Sequence, residues 1–379
     1  MAFLDKATLW GIKKESAYGV AATITYPTDV VELIDPSMEG TISEIERAVT
    51  KNSLVKAETL PGKETSSGTL AVEVTATVAG TLNGDVLYES AMGIRIEPTV
   101  LETLSPASTG VSSITVADDT VYEIGQGLKI KAGTATEYVT ITSITRGVLS
   151  VSPDIVGGSV TEVTGLLSYR LAIPSTPVTS FSVEEYLTSD ALAVKYKYLG
   201  VVANSMSLEF PLADIIKASF SVSGAGFSAS TSTASTKVCM DLKPHIAKNI
   251  QFLYGGTVYD INELTINVEN EVYDSETLTS SGINKKLVTG KSNVGGSFVV
   301  DYDGLDLFNK YKARTSGSLV FSTATSDGKK FGGYAPKVAL KNVQKSKDNS
   351  VYKDNVDLQI LSSDACINGV EDALSIWFE

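Results

Sequence analysis

Apolar and polar residues alternate with period two along most of this chain. GTLAVEVTA, SMSLEFPL, KASFSVSG, GSFVVDY and NVDLQIL each put apolar side chains on one face and Ser, Thr, Lys or acids on the other. That period fits strands buried on one face only and fits no helix. Helical spacing is confined to two short amphipathic segments, Gly84–Met92 (GDVLYESAM) and Leu305–Lys312 (LDLFNKYK). The chain is therefore expected to be mainly β with a minor helical component. Its 379 residues, 43% hydrophobic and 20% charged, form a globular composition of two or three domains.

The alternation recurs in a repeated order. ETLPGKETSSGTLAVEV (Glu58–Val74) lies on KKLVTGKSNVGGSFVVDY (Lys285–Tyr302) at a constant offset of 228. Gly62-Lys63 falls on Gly290-Lys291, Gly68 on Gly296, Leu70 on Phe298, Val72 on Val300 and Glu73 on Asp301. Upstream, VELIDP from Val31 matches NELTIN from Asn262. Downstream, Gly84 and Gly304 each precede a short helix, and two further strands follow near Asn204 and Ile216, or near Lys337 and Asn355. A shared order of strand, Gly-Lys turn, strand, helix and strand pair points to an internal duplication. About 60 residues, 105–167, interrupt the first copy with strands and turns of their own, near the lower size limit for an autonomous β-domain. The expected domains are thus 1–104 with 168–232, an inserted 105–167, and 233–379. The Ser/Thr-rich Ser223–Cys239 reads as a linker, and the N-terminal LWGIKKESAYGVAATITY as an extended arm.

Chemistry is sparse. The net charge of −13 opposes tight binding of nucleic acid, which needs a basic surface, and does not argue against a surface that DNA slides past. The single histidine, His245, excludes a two-histidine zinc site within one chain and reads as a surface or loop residue. Cys239 and Cys366 have no CxxC spacing and read as small hydrophobes in a reducing cytoplasm. TGKS (Thr289–Ser292) lacks the first glycine of a phosphate loop and precedes a strand, so it reads as a turn. DYDGLD (Asp301–Asp306) lacks calcium-loop spacing and reads as a strand end with a helix cap. Glu184-Glu185 reads as a solvated acidic face. No catalytic, metal or cofactor constellation remains, so an enzyme is not expected. No signal peptide and no membrane-spanning apolar run is recognisable, so synthesis in the cytoplasm without exit by the usual secretory route is expected.

Three segments carry a resemblance: KKESAYGVAATITYPTDVVELIDPSMEGTISEIER, LPGKETSSGTLAVEV, and YKYLGVVANSMSLEFPLADIIKASFSVSGAG. They resemble the major tail tube proteins of long-tailed, siphophage-type bacteriophages. VYEIGQGLKIKAG and YVTITSITRGVLSVSP in the insertion are similar to accessory β-modules of such proteins. The resemblance implies two tandem β-sandwich or barrel domains, each with a short flanking helix, plus the small inserted β-domain on the outside. It implies rings of six such domains around a lumen, here a homotrimer of two-domain chains, stacked into a tube in the virion tail. The implied partners are further copies of the chain, a tape measure protein in the lumen, tail terminator and distal tail proteins, and genomic double-stranded DNA in passage without tight binding.

On this reading the sheet face opposite the core lines the lumen. It carries Glu73, Glu209, Asp301 and Asp357 among small hydroxyl residues, and like charge repels phosphate. Gly40–Leu60 and its counterpart Asn270–Leu287 form long hairpin arms between subunits, with Glu44, Glu46, Arg47 and Lys51 available for ion pairs. The alternatives are a distal tail or baseplate hub protein, which copy number in the virion distinguishes, and a β-sandwich carbohydrate-binding adhesin, which would be monomeric and bind sugar.

Overall fold

The computed structural model describes residues 8–26, 28–46, 59–78, 81–171, 179–188, 193–232, 242–248, 250–276, 283–302, 304–324, 328–348, 350–362 and 373–379. In chain order the elements begin with β1 (Thr8–Lys14), β2 (Ile34–Ile45), β3 (Leu60–Glu73), α1 (Asp85–Met92) and β4 (Gly93–Ile96). There follow β5 (Glu102–Ser108), β6 (Ser113–Thr115), β7 (Gly127–Ala132), β8 (Ala135–Thr145), β9 (Val148–Ser152) and β10 (Val160–Gly165). Next come β11 (Leu167–Leu171), β12 (Phe181–Thr188), β13 (Ala193–Phe210), β14 (Lys217–Gly224) and β15 (Gly226–Ser232). The last are β16 (Gln251–Tyr254), β17 (Thr257–Val258), β18 (Ile261–Glu276), β19 (Ile283–Asp301), α2 (Asp306–Ala313), β20 (Ser316–Ala324), β21 (Lys330–Asp348), β22 (Val351–Leu361) and β23 (Ser375–Phe378). The protein is mainly β, as the alternation requires.

Pairing is antiparallel throughout. In the first half β2 pairs with β3, β3 with β14, and β14 with the C-terminal part of β13. In the second half β18 pairs with β19, β19 with β22, and β22 with the C-terminal part of β21. The N-terminal parts of the two long strands bend into a second layer. There β13 meets β12 and β15, and β21 meets β20 and β23. β1 pairs with β12 as β16 pairs with β20. Register shifts fall at matching places: Phe181/Val183 and Gly317/Leu319, Ala203/Ser205 and Leu340/Asn342, Ile42/Glu44 and Asn270/Val272. A bulge bends its strand and raises the local twist, so the two halves curl alike.

One apolar cluster runs through both halves, because the inward residues of each strand meet between the layers. Leu70, Val72, Met206, Leu208 and Phe220 belong to it with Leu264, Ile266, Phe298 and Val356. α1 closes the first half: Tyr88 is fully buried, with its ring edge-on to Phe220 at 5.2 Å. The Asp85 carboxylate accepts from Arg95 Nε at 2.8 Å and from the Tyr169 hydroxyl. Only Leu307 of α2 is buried.

Strands β5 to β10 form a separate six-stranded sheet with its own core of Leu128, Ile130, Val139, Ile141, Leu149 and Val163. The join to the large sheet is polar and tight. Gln126, fully buried, donates to the Glu97 carbonyl at 2.9 Å, and Arg170 Nη1 donates to the Ile124 carbonyl at 2.8 Å. Trp377 of β23 stacks on Tyr138 of β8 at 5.6 Å, and Gly127 admits that indole because a Cβ there would lie 2.3 Å from Trp377 Cγ.

Several local expectations are corrected. The first part of the supposed N-terminal arm, up to Lys14, is β1, a core strand with Leu9, Trp10 and Ile12 buried; residues covered on both faces show no alternation. Part of the supposed linker is β15, held by backbone pairing to Ala193–Leu199, which needs no apolar side chains. Gly62-Lys63 and Gly290-Lys291 lie inside β3 and β19, not in turns. β2 passes close to Gly62: a Cβ there would lie 2.5 Å from Ser43 Oγ, a hydroxyl that can rotate away, and 3.0 Å from the Ser43 carbonyl oxygen. His245 is not at the surface: it is fully buried against Phe331. Its backbone N–H donates to the Val74 carbonyl at 2.7 Å and its carbonyl accepts from Ile216 N–H at 3.0 Å. Cys239 and Cys366 lie outside the described residues.

The last residue, Glu379, also bears on this join. Burial alone would raise its carboxyl, but hydrogen bonds from Lys129, Tyr138 and the Lys330 N–H hold it below the ordinary value of 4.5. A depressed folded pKa gives stability that is complete above 4.5 and lost as pH falls through the folded value. Limited proteolysis of the β5–β10 unit is therefore expected to accelerate on acidification below that point. Glu379→Gln is expected to show the faster cleavage already at neutral pH.

Candidate functional site

The site of interest is a surface, and it starts from the backbone. A strand at the end of a sheet exposes N–H and C=O groups on one side and is a template for another chain. The two halves of this molecule solve that problem between themselves. β13 of the first half pairs with β18 of the second, Ser205 opposite Glu269, Ser207 opposite Asn267 and Glu209 opposite Thr265. The result is a continuous curled path β2–β3–β14–β13–β18–β19–β22–β21. Among the described residues its two ends stay open. β2 pairs with β3 alone, and Asn342–Asp348 of β21 pair with β22 alone. On β2, Ser37 and Glu39–Ile45 are exposed, including Ile42 at 45% and Ile45 at 55%.

The face of this path away from the core is polar. One row runs straight across it: Glu73, Lys217, Glu209, Thr265, Ser297, Asp357 and Asn342 stand opposite one another in turn. Three of the four carboxylates singled out from sequence, Glu73, Glu209 and Asp357, therefore share one row although they come from three strands. Asn342 Nδ2 donates to Asp357 at 3.2 Å. Asp301 shares the face, farther along, opposite Lys353 and accepting from Asn262 Nδ2 at 2.8 Å. Sequence reasoning missed the two lysines. Lys217 stands opposite Glu73 on one side and Glu209 on the other, and Lys353 holds the matching place on β22. Their signal was present, since each lies three residues before an aromatic or branched core residue, Phe220 or Val356.

The arms extend beyond this path. Glu44 is exposed on β2 opposite Pro61, and Glu46 is exposed just past the strand end. Arg47 and Lys51 lie outside the described residues. The second arm is the hairpin of β18 and β19. The arms meet through Lys63 of β3, whose ammonium is 3.3 Å from Asp274 of β18.

On the core side the halves differ at the rung of Lys345 and Asp354. Where the first half pairs the buried Leu208 and Ala218, the second pairs exposed Lys345 with Asp354. Asp354 is 4% exposed and its Oδ1 has no hydrogen-bond partner. Burial raises its carboxyl and the charge of Lys345 opposes that. The Lys345 ammonium sits 3.9 Å over the Tyr302 ring.

Other acids are structural. Glu184 is not on a solvated face: it is 2% exposed, with Lys197 at 3.0 Å and Lys195 at 3.3 Å. Glu15, also buried, accepts from Ser180 and Ser182 hydroxyls and from the N–H groups of Gly19 and Gly200, at 2.8–2.9 Å. Among the described residues no three His, Cys, Asp or Glu side chains are grouped to hold a metal, and no helix is long and apolar enough to cross a membrane.

The described residues thus form a curled β-path with two open edges and a polar face. The model of the phage tail tube protein family matches residues 7–358, and the chain belongs to that family. Comparison with curated proteins finds no match. Membership makes the chain a structural component of a virion tail that assembles with itself into a tube.

The Glu73–Lys217–Glu209 row makes one local prediction. Lys217→Glu places three carboxylates side by side on adjacent strands. It is expected to lower unfolding stability by about 1 kcal/mol in urea titration, an effect that added salt reduces.

Proposed function

We propose that the chain is the major tail tube subunit of a siphophage-type tail, and that three chains close into a ring with pseudo-sixfold symmetry. The observation that carries this reading is the β13·β18 joint. Two halves with the same pairing order and the same bulge positions are already joined edge to edge, and the two edges left over are the counterparts of the two that joined. A head-to-tail contact of this kind closes into a ring if its rotation allows, and rings stack into an open filament. On this reading 1–104 with 168–232 and 233–379 are the two tube domains of a duplicated chain. The 105–167 unit decorates the outside, held firmly by Gln126, Arg170 and the Trp377 stack.

The polar face then lines the lumen. Its hydroxyl residues give DNA little to hold, and Glu73, Glu209, Asp301 and Asp357 repel phosphate, so genomic DNA passes without sticking. Before ejection the same lumen holds a tape measure protein, and the tube ends meet terminator and distal tail proteins. The arms, with Glu44, Glu46, Arg47 and Lys51, contribute to contacts between subunits.

Electron cryomicroscopy of assembled protein is the direct test. The expected result is a hollow tube with three chains and three outer protrusions per ring; six chains per ring, or no tube, would refute the proposal. Glu73→Lys with Glu209→Lys and Asp357→Lys is expected to leave tubes intact but make them retain double-stranded DNA at low salt and release it at high salt. Wild-type tubes should retain none in the same co-sedimentation assay.

A further inference from the structure

We infer that the cleft between α2 and residues 257–262 binds an alkylammonium group, with the carboxylate of Asp354 as its anchor. Every residue involved belongs to one chain, so the inference does not depend on how chains assemble.

The cleft holds about 410 Å³, in the range of pockets that take small organic ligands. Its walls come from residues 257–262, the end of β19, the start of α2 and Asp354 of β22. Four lining residues are acids, Asp260, Asp301, Asp306 and Asp354, and among the described residues no lysine, arginine or histidine lines it. That charge excludes an anionic ligand. The positive end of α2 offers an anion nothing either, since Asp306 already occupies its first turn.

The acids are not equally engaged. Asp306 accepts from the Tyr259 hydroxyl and pairs with Lys310 at 2.9 Å. Asp301 accepts from Asn262 Nδ2 at 2.8 Å. Asp354 is 4% exposed and its Oδ1 has no hydrogen-bond partner. Lys345 stands opposite it on β21, but the ammonium of that lysine lies over the Tyr302 ring at 3.9 Å. A buried carboxylate oxygen without a donor is costly to keep.

The first half shows the same place without an acid. Ala218, fully buried, stands there in place of Asp354, and α1 packs down with Leu87, Tyr88, Ala91 and Met92 buried. In the second half a carboxylate replaces the methyl group, and α2 buries Leu307 alone. The two differences together make a cleft with a charged floor.

The ligand chemistry follows from the lining. A bare metal ion does not fit, because among the described residues no three acids, histidines or cysteines are grouped to hold one. A primary ammonium needs only one anchor. It donates one N–H to Asp354 Oδ1 and others to water or the remaining acids, while its alkyl stem lies against Ile261, Val300 and Leu307. A free amine and a lysine side chain both present this group.

Hydrogen–deuterium exchange of the full-length chain at physiological ionic strength tests the site, with n-butylamine and Nα-acetyl-lysine methylamide as probes. Saturable protection of residues 257–262 and 304–307 in the millimolar range is expected, with none in β3. Protection by both probes assigns the cleft to the ammonium group whatever carries it. Protection by one alone supports the site and identifies its source as a free amine or a lysine side chain. Protection by neither overturns the inference. Tetramethylammonium has the charge but no N–H, and should bind at least roughly ten-fold more weakly. Equal protection by it would show loose attraction to an acidic chain and overturn the assignment too. Asp354→Asn should weaken n-butylamine roughly ten-fold, whereas Asp357→Asn, on the opposite face of β22, should leave it unchanged. Undiminished binding by Asp354→Asn would overturn the anchor. Should that variant fail to fold, the wild-type footprints with the three probes still decide.

Discussion

Everything in this fold depends on the requirement that backbone N–H and C=O groups at a strand edge find partners. Either half, taken alone, would expose two edges of a curled sheet. The chain removes two of the four by pairing β13 with β18, and in doing so fuses the two apolar layers into one cluster. The remaining edges are exposed over several rungs and carry no proline or inward charge on β2 between Ser37 and Ile45 that would block pairing. Natural monomers protect such edges, and this chain leaves them open. The family match gives the reason, since a tail tube subunit assembles with itself.

The same geometry sorts side chains into jobs. With one face of the path committed to the core, the other collects whatever the polar half of each alternating strand supplies. Serine, threonine and carboxylates dominate it, and Lys217 and Lys353 each stand beside acids. The strongly paired acids are elsewhere: Glu15 and Glu184 are buried and fully engaged, and Glu379 ties the small sheet to the large one. Charge that holds the fold together and charge on the polar face are therefore carried by different residues.

Much of this was legible in the chain. The period of two placed Leu70, Val72, Phe220, Phe298 and Val356 inward, and both short helices fall where their spacing put them. Four carboxylates assigned to the polar face do lie on it. What misled was local composition. Gly-Lys looks like a turn, yet Gly62 sits mid-strand in β3, close against Ser43 of β2. Ser/Thr-rich sequence looks like a linker, yet β15 is held by backbone pairing to β13 and by Phe227 packed on the core. Glu184 looks solvated, yet two lysines from the adjacent β13 make its burial possible.

The sequence by itself determined which side of each strand faces the core and in what order the strands recur, because side-chain period is a property of a few consecutive residues. Only the tertiary structure decided which strands are neighbours, where the edges lie, and that Glu73, Glu209 and Asp357 fall on one row. Those facts are set by hydrogen bonds between residues far apart in the chain, and backbone pairing carries no side-chain signature. The same reason explains why His245 and β1 were misread: burial on both faces depends on what packs from a distance, and a covered residue looks like any other until its cover is in place.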